Sequence, residues 1–125
     1  MNVVDSSGWL EYLADGPNSK FFSKAIETTS DLIVPTLSLY EVFKRVLQQR
    51  SEGEALQAVA LMHQGKVVEL SAPIALSAAR ISSDSQLPMA DSIMLATAQS
   101  FDATLWTQDS DFKDLPGVQF VEKVK

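Results

Sequence analysis

Five short β-rich runs alternate along this chain with longer segments in which apolar residues recur at helical spacing, and that alternation most constrains the fold. The runs are NVV (2–4), LIV (32–34), VVEL (67–70), TLW (104–106) and VQFVE (118–122). A helix inserted between two strands returns the chain to the same end of the sheet, so the strands should run parallel. A parallel sheet in turn needs helices over both faces. The expectation is an α/β fold, and 125 residues of which 46% are apolar supply one compact domain, residues 1–125, with one core.

Between the runs, SGWLEYLAD and SKFFSKAIE read as two short helices separated by Gly16 and Pro17. Ser38 to about His63 is helical in pattern, with Tyr40, Phe43 and Leu47 on one stripe and Leu56, Val59 and Met62 on another; Gly53 is expected to divide it. A further helix starts near Pro73 and carries Ile74, Ala78 and Ile81. LPMADSIMLATAQS (87–100) forms the last, with Pro88 in its first turn and Leu95 and Ala98 facing inward. Trp9, Tyr12, Phe21 and Phe22 should divide between core and interface. His63, the single histidine, falls late in a helical stripe away from the acidic motifs, which suits a surface or packing role.

Several function classes drop out. The chain has no cysteine, so it has neither a disulfide framework nor a thiol-based site. MNVVDSSGWL lacks the basic n-region of a secretory signal, and no apolar run approaches the ~20 residues that span a bilayer. A soluble cytoplasmic protein is expected, with no membrane association. Sixteen acidic against ten basic residues give a net charge of −6, which argues against a broad basic surface for nucleic acid. It leaves room for a nuclease whose positive charge comes from bound cations.

Asp91 lies on the inward face of its helix, where a carboxylate costs free energy unless a cap, ion pair or metal compensates it. It could also be a first-turn acid favoured by the helix dipole. Asp5 directly follows the first strand, where DSS opens a helix and Asp is a favoured N-cap. Glu41 stands three residues after Ser38 in SLYE, the spacing of a capping box, with Leu37, Tyr40 and Val42 around it. Asp109 and Asp111 sit in TQDSDF, just past the fourth strand, where Asp suits turns.

Taken together, these acids gather where an open parallel sheet keeps its functional groups, outside the carboxyl ends of the strands at the switch point. Asp5 and Asp109 follow strands at that edge, and Glu41 enters the helix after the second. Asp91 starts the helix leading toward the fourth strand and an expected hairpin partner. Carboxylates about 4 Å apart repel by roughly 4 kcal/mol per pair at an effective dielectric of 20. Such a cluster must take up protons or a divalent cation, and an all-oxygen ligand set without His or Cys favours Mg²⁺ or Mn²⁺ over Zn²⁺. One or two such ions acidify water and neutralise charge on a scissile phosphate, the chemistry of phosphodiester hydrolysis.

VVDSSGWLEYL, Glu41 in SLYEV, LPMADSIMLATA and TLWTQDSDFKDLPGVQFVE resemble, in order, the four motif regions of the PIN domain as found in small VapC-like ribonuclease toxins of bacterial toxin–antitoxin pairs. The resemblance implies a three-layer α/β/α domain with a parallel five-stranded sheet in order 3-2-1-4-5, and Mg²⁺- or Mn²⁺-dependent cleavage of RNA. By position, Asp5, Glu41 and Asp91 match the three core carboxylates and Asp109 the fourth, more variable one. Thr107 matches the small hydroxyl residue before it, Ser6 a position beside the first carboxylate, and Asp111 ranks below Asp109 as an assisting acid. A homodimer and a small antitoxin blocking the acidic site are also implied.

Lys44 and Arg45, three and four residues after Glu41, could contact RNA phosphates, although ordinary helix-surface ion pairs are the favoured reading. A housekeeping RNA-processing nuclease on the same fold is one alternative. A non-catalytic acidic binding module, its carboxylates serving as separate helix caps, is another. A phosphorylatable receiver module would need an Asp after the third strand, where the sequence reads SAPIAL.

Overall fold

The structure is a computed structural model that describes residues 1–124. Its strands are β1 (Asn2–Val4), β2 (Leu32–Pro35), β3 (Lys66–Val68), β4 (Thr104–Thr107) and β5 (Val118–Phe120). The helices are α1 (Ser6–Leu13), α2 (Ser19–Ile26), α3 (Thr36–Gln49), α4 (Glu52–Met62), α5 (Ala72–Ser85) and α6 (Met89–Ser100). All the strand pairs are parallel and the order is β3-β2-β1-β4-β5. Every expected strand is present, but β4 and β5 run parallel, so the hairpin partner expected near the fourth strand does not exist among the described residues.

The period-two pleat divides the core between the two faces. Val4, Leu32 and Val34 point to one side, where they meet Trp9, Phe22, Val42, Ala58 and Met62 from α1 to α4. Val3, Ile33 and Leu105 point to the other, against Met94, Leu95 and Ala98 of α6 and Phe112. Leu95 and Ala98 thus face inward as their spacing required. Trp9 and Phe22 are fully buried, and Tyr12 and Phe21 pack against them, so the aromatic residues of the first two helices build core rather than an exposed patch. Gly8 permits this packing, because a Cβ there would lie 2.6 Å from the Phe22 ring and 2.7 Å from Val4.

Helix boundaries differ from the expected ones in instructive places. The long helical segment breaks at Arg50, whose dihedrals leave the helical region, and Ser51 caps α4 by accepting the Glu54 N–H. Gly53 lies inside α4 as its second residue, because a serine cap restarts a helix more effectively than a glycine does. The inward stripe of α3 is Leu39, Val42 and Val46, while Tyr40 and Leu47 face solvent, as does Leu56 on α4. Pro88 is the N-cap of α6 rather than a first-turn residue. His63 ends α4, exposed, its Nδ1 2.9 Å from the Val59 carbonyl. Among the described residues no helix is long and apolar enough to cross a membrane.

Candidate metal centre

Strand order reverses between β1 and β4, and the carboxyl ends of these two strands are where the acids gather. Asp5 leaves β1 there and Thr107 ends β4. Asp5 is 5% exposed and caps α1 as its sequence context required, accepting the Gly8 N–H at 2.9 Å. The same Oδ1 accepts the Ser7 hydroxyl at 2.9 Å, and Oδ2 accepts the Thr107 hydroxyl at 2.5 Å. Thr107, itself fully buried, also accepts the Asp109 N–H at 2.9 Å. One hydroxyl therefore ties the end of β1 to the turn after β4.

Asp109 caps a short 3-10 turn, Ser110–Phe112, by accepting the Asp111 N–H at 2.9 Å. That turn folds Asp111 back, so that Asp91, Asp109 and Asp111 each offer a carboxylate oxygen within 4.8 Å of the others. Sequence position ranks Asp111 behind Asp109; in space the two are equal members of this cluster. Glu41 approaches from α3. It makes no capping box, because α3 begins at Thr36, two residues before Ser38, and Ser38 is buried with its hydroxyl 3.4 Å from Met94 Sδ. The Glu41 carboxylate accepts the Ser6 hydroxyl at 2.6 Å instead.

Asp5, Ser6, Glu41, Asp91 and Asp109 all line one cleft of about 230 Å³, together with Ser7, Leu10, Met94 and Arg45. Lys44, by contrast, sits over the Tyr40 ring at 5.7 Å and does not line it. Ser7 and the Gly8 N–H escape the sequence reading. Their signal is the DSSG run itself, since an Asp N-cap accepts from the backbone three residues on and leaves the intervening serine within reach.

Burial raises the Asp5 carboxyl to about 6, against the hydrogen bonds from Thr107, Gly8 and Ser7 that hold it down. Asp91, half-buried, is pushed to about 7, first by desolvation and then by the charges of Asp109, Asp111, Asp5 and Glu41. The four carboxylates named with Asp91 are thus close enough to be felt electrostatically. Such a site is short of positive charge, and its all-carboxylate donor set fits a hard divalent cation.

Replacing Thr107 by valine keeps the shape and removes the hydroxyl. Buried Asp5 and the Asp109 N–H each lose a partner, so Thr107→Val should cost about 1–3 kcal/mol of stability at pH 8. The loss should shrink at pH 5, where Asp5 is largely protonated in both proteins. Urea unfolding at the two pH values tests this; equal losses at both would show that the Asp109 N–H, and not the Asp5 carboxylate, is what the hydroxyl stabilises.

A larger groove of about 1040 Å³ opens beside the cleft between α1, α3 and α4, and the two share Ser7, Leu10 and Arg45. Its lining mixes apolar Leu13, Val46, Ala58 and Leu61 with charged Glu11, Arg50, Glu54 and Lys123.

The PIN domain family model matches residues 3–118. No curated protein matches the chain in sequence. Among solved structures the chain is similar to a protein of a toxin–antitoxin complex from Klebsiella pneumoniae, 22% identical, with TM-score 0.78 over 95% of this chain and 96% of that one. It is similar also to a chain of VapBC2 from Rickettsia felis bound to a promoter DNA fragment, 12% identical, TM-score 0.76, covering 97% of each. A third is VapC20 of Mycobacterium tuberculosis, described as a sarcin–ricin loop cleaving toxin, 14% identical, TM-score 0.76, covering 93% of this chain and 95% of that one. At these identities the structural likeness speaks for the fold, and the family model, spanning the β1 to β5 region with the cleft inside it, speaks for descent. The chain belongs to the PIN domain family.

Proposed function

We propose that this protein is a Mg²⁺- or Mn²⁺-dependent endoribonuclease of the cytoplasm, the toxin of a toxin–antitoxin pair, with Asp5, Glu41, Asp91 and Asp109 as its catalytic acids and Asp111 beside them. The observation that carries this reading is the convergence of carboxylates from four parts of the chain on one cleft, with Asp91 pushed to about 7 by burial and by their mutual repulsion. Two of them, Asp5 and Asp109, are indeed helix caps. Glu41 caps nothing, and Asp91, although a first-turn acid of α6, is half-buried among the other carboxylates, which the helix dipole alone does not require.

When bound, one or two divalent ions supply the positive charge that acidifies the attacking water and stabilises the phosphorane-like transition state and leaving oxygen. Asp91, Asp109 and Asp111 would hold such an ion, with Asp5 and Glu41 beside them in the same cleft. The protein's own work is positioning. Thr107 and Ser7 fix the Asp5 carboxylate, Ser6 fixes Glu41, and Thr107 sets the turn that carries Asp109. Each hydroxyl holds a carboxylate rotamer in advance, so less reorganisation is needed when substrate arrives.

The solved neighbours include toxin–antitoxin complexes, which supports a small antitoxin as partner. The groove, which shares Ser7, Leu10 and Arg45 with the acidic cleft, supports a seat for such a partner beside the acids. A homodimer is part of the same reading, supported by Tyr40, Leu76 and Met89, which are 61%, 73% and 75% exposed.

The test is cleavage of a structured RNA pool by protein freed of any co-purified partner, in Mn²⁺, in Mg²⁺ and in EDTA, beside Asp5→Ala. Discrete products that require the metal and vanish in the variant are expected. Metal-independent products, or products that persist in Asp5→Ala, would overturn the reading.

A further inference from the structure

The cleft lining holds three aspartates, a glutamate and a single cation, Arg45. A nucleic-acid strand brings one negative charge per phosphate to this acidic wall. Divalent ions held by the carboxylates would neutralise the phosphate being cut, and a neighbouring phosphate would be left to a cation of the protein itself.

Arg45 stands one helical turn after Glu41, the spacing and orientation at which a Glu–Arg surface pair is expected by default. That pair is not made. Glu41 takes the Ser6 hydroxyl instead, and among the described residues the one ion pair is Arg50 with Glu54, at 3.4 Å. Arg45 is exposed, has no acidic partner among the described residues, and lies where the cleft meets the groove. A guanidinium suits a phosphodiester better than an ammonium does, because it offers two parallel N–H donors to two phosphate oxygens. Lys44, occupied over Tyr40, is outside this arrangement.

We propose that Arg45 binds the RNA phosphate flanking the scissile one, and so sets where along the strand the metal-bearing carboxylates cut. The inference rests on the nuclease reading above. It narrows the two adjacent cations suggested by the sequence to one, and gives it a substrate contact rather than a surface ion pair.

The test compares wild type, Arg45→Ala and Arg45→Lys in steady-state RNA cleavage at saturating Mn²⁺, with RNA binding measured across a salt series. Arg45→Ala should raise KM about tenfold or more with kcat changed far less. It should also flatten the slope of log affinity against log salt by about 0.7, the share of one single-strand phosphate contact. Arg45→Lys should restore the slope while recovering the affinity only in part. Mn²⁺ affinity by calorimetry should stay within about twofold of wild type, or tighten, since a nearby positive charge has gone.

An unchanged KM and salt slope in Arg45→Ala would overturn the proposal while leaving the nuclease reading intact. So would an unchanged slope with weakened Mn²⁺ binding, which would make Arg45 a support of the metal site. Absence of metal-dependent cleavage in wild type would remove both readings.

Discussion

In EDTA, the protein should melt several degrees higher at pH 5 than at pH 8, and Asp91→Asn should melt higher than wild type at pH 8. Asp5 titrates near 6 and Asp91 near 7 in the folded protein, whereas an aspartate in an unfolded chain titrates at about 3.9. Between about pH 4 and 7 the folded state therefore binds more protons than the unfolded state. Stability then falls as pH rises through this window, and the penalty is complete above the folded values. This is the reverse of the usual salt-bridged aspartate, whose contribution is lost as pH falls.

The asparagine of Asp91→Asn carries no charge at any pH, so the variant should lose most of the slope that Asp91 contributes. Its gain at pH 8 should be on the order of 1–2 kcal/mol after allowance for solvent screening of a half-buried group, or roughly 3–8 °C in a domain of this size. Saturating Mn²⁺ should raise the melting temperature of wild type at pH 8 and leave Asp91→Asn nearly unmoved. Scanning calorimetry with and without Mn²⁺ at both pH values reads all three effects. Lower stability of Asp91→Asn in EDTA with an unchanged Mn²⁺ response would instead make Asp91 a helix-dipole acid and nothing more.

The second large effect is on cleavage. Asp91→Asn and Asp109→Asn should each lower kcat/KM for RNA by about 10³-fold, the scale of losing a ligand to an ion that contributes several kcal/mol at the transition state. Ser6→Ala should cost much less, about tenfold, because Glu41 remains and only its anchor is lost. Single-turnover rates at fixed Mn²⁺ separate the two classes. The rank order matters: if Ser6→Ala matched the aspartate variants, the hydroxyl would itself contact substrate, and the positioning role assigned to it would be wrong.

How much of the fold and the site is legible in the sequence depends on the range of the interaction. The strands and the inward phase of Leu95 and Ala98 follow from local periodicity, and the sheet order comes with the family resemblance. Asp5 is legible as a cap because capping is decided within three residues. Glu41 reads as a capping-box acid for the same local reason, and wrongly. Its actual partner, Ser6, is thirty-five residues away, and no local rule sees it. The Ser51 cap that divides α3 from α4 is overshadowed by Gly53 two residues on. Tyr40 and Leu47 keep helical spacing yet face solvent, since periodicity finds a stripe but not which of two stripes the sheet covers. Asp111 joins the cluster through a 3-10 turn too short to leave a periodic trace.

Whether the acidic cleft seats a divalent cation is tested most directly by anomalous diffraction from crystals grown in Mn²⁺, with data collected near the manganese edge. A peak bounded by the carboxylates of Asp91, Asp109 and Asp111, on the side facing Asp5 and Glu41, is the predicted result. A cleft without a peak at millimolar Mn²⁺ and pH 8, or manganese bound only elsewhere on the surface, would contradict it.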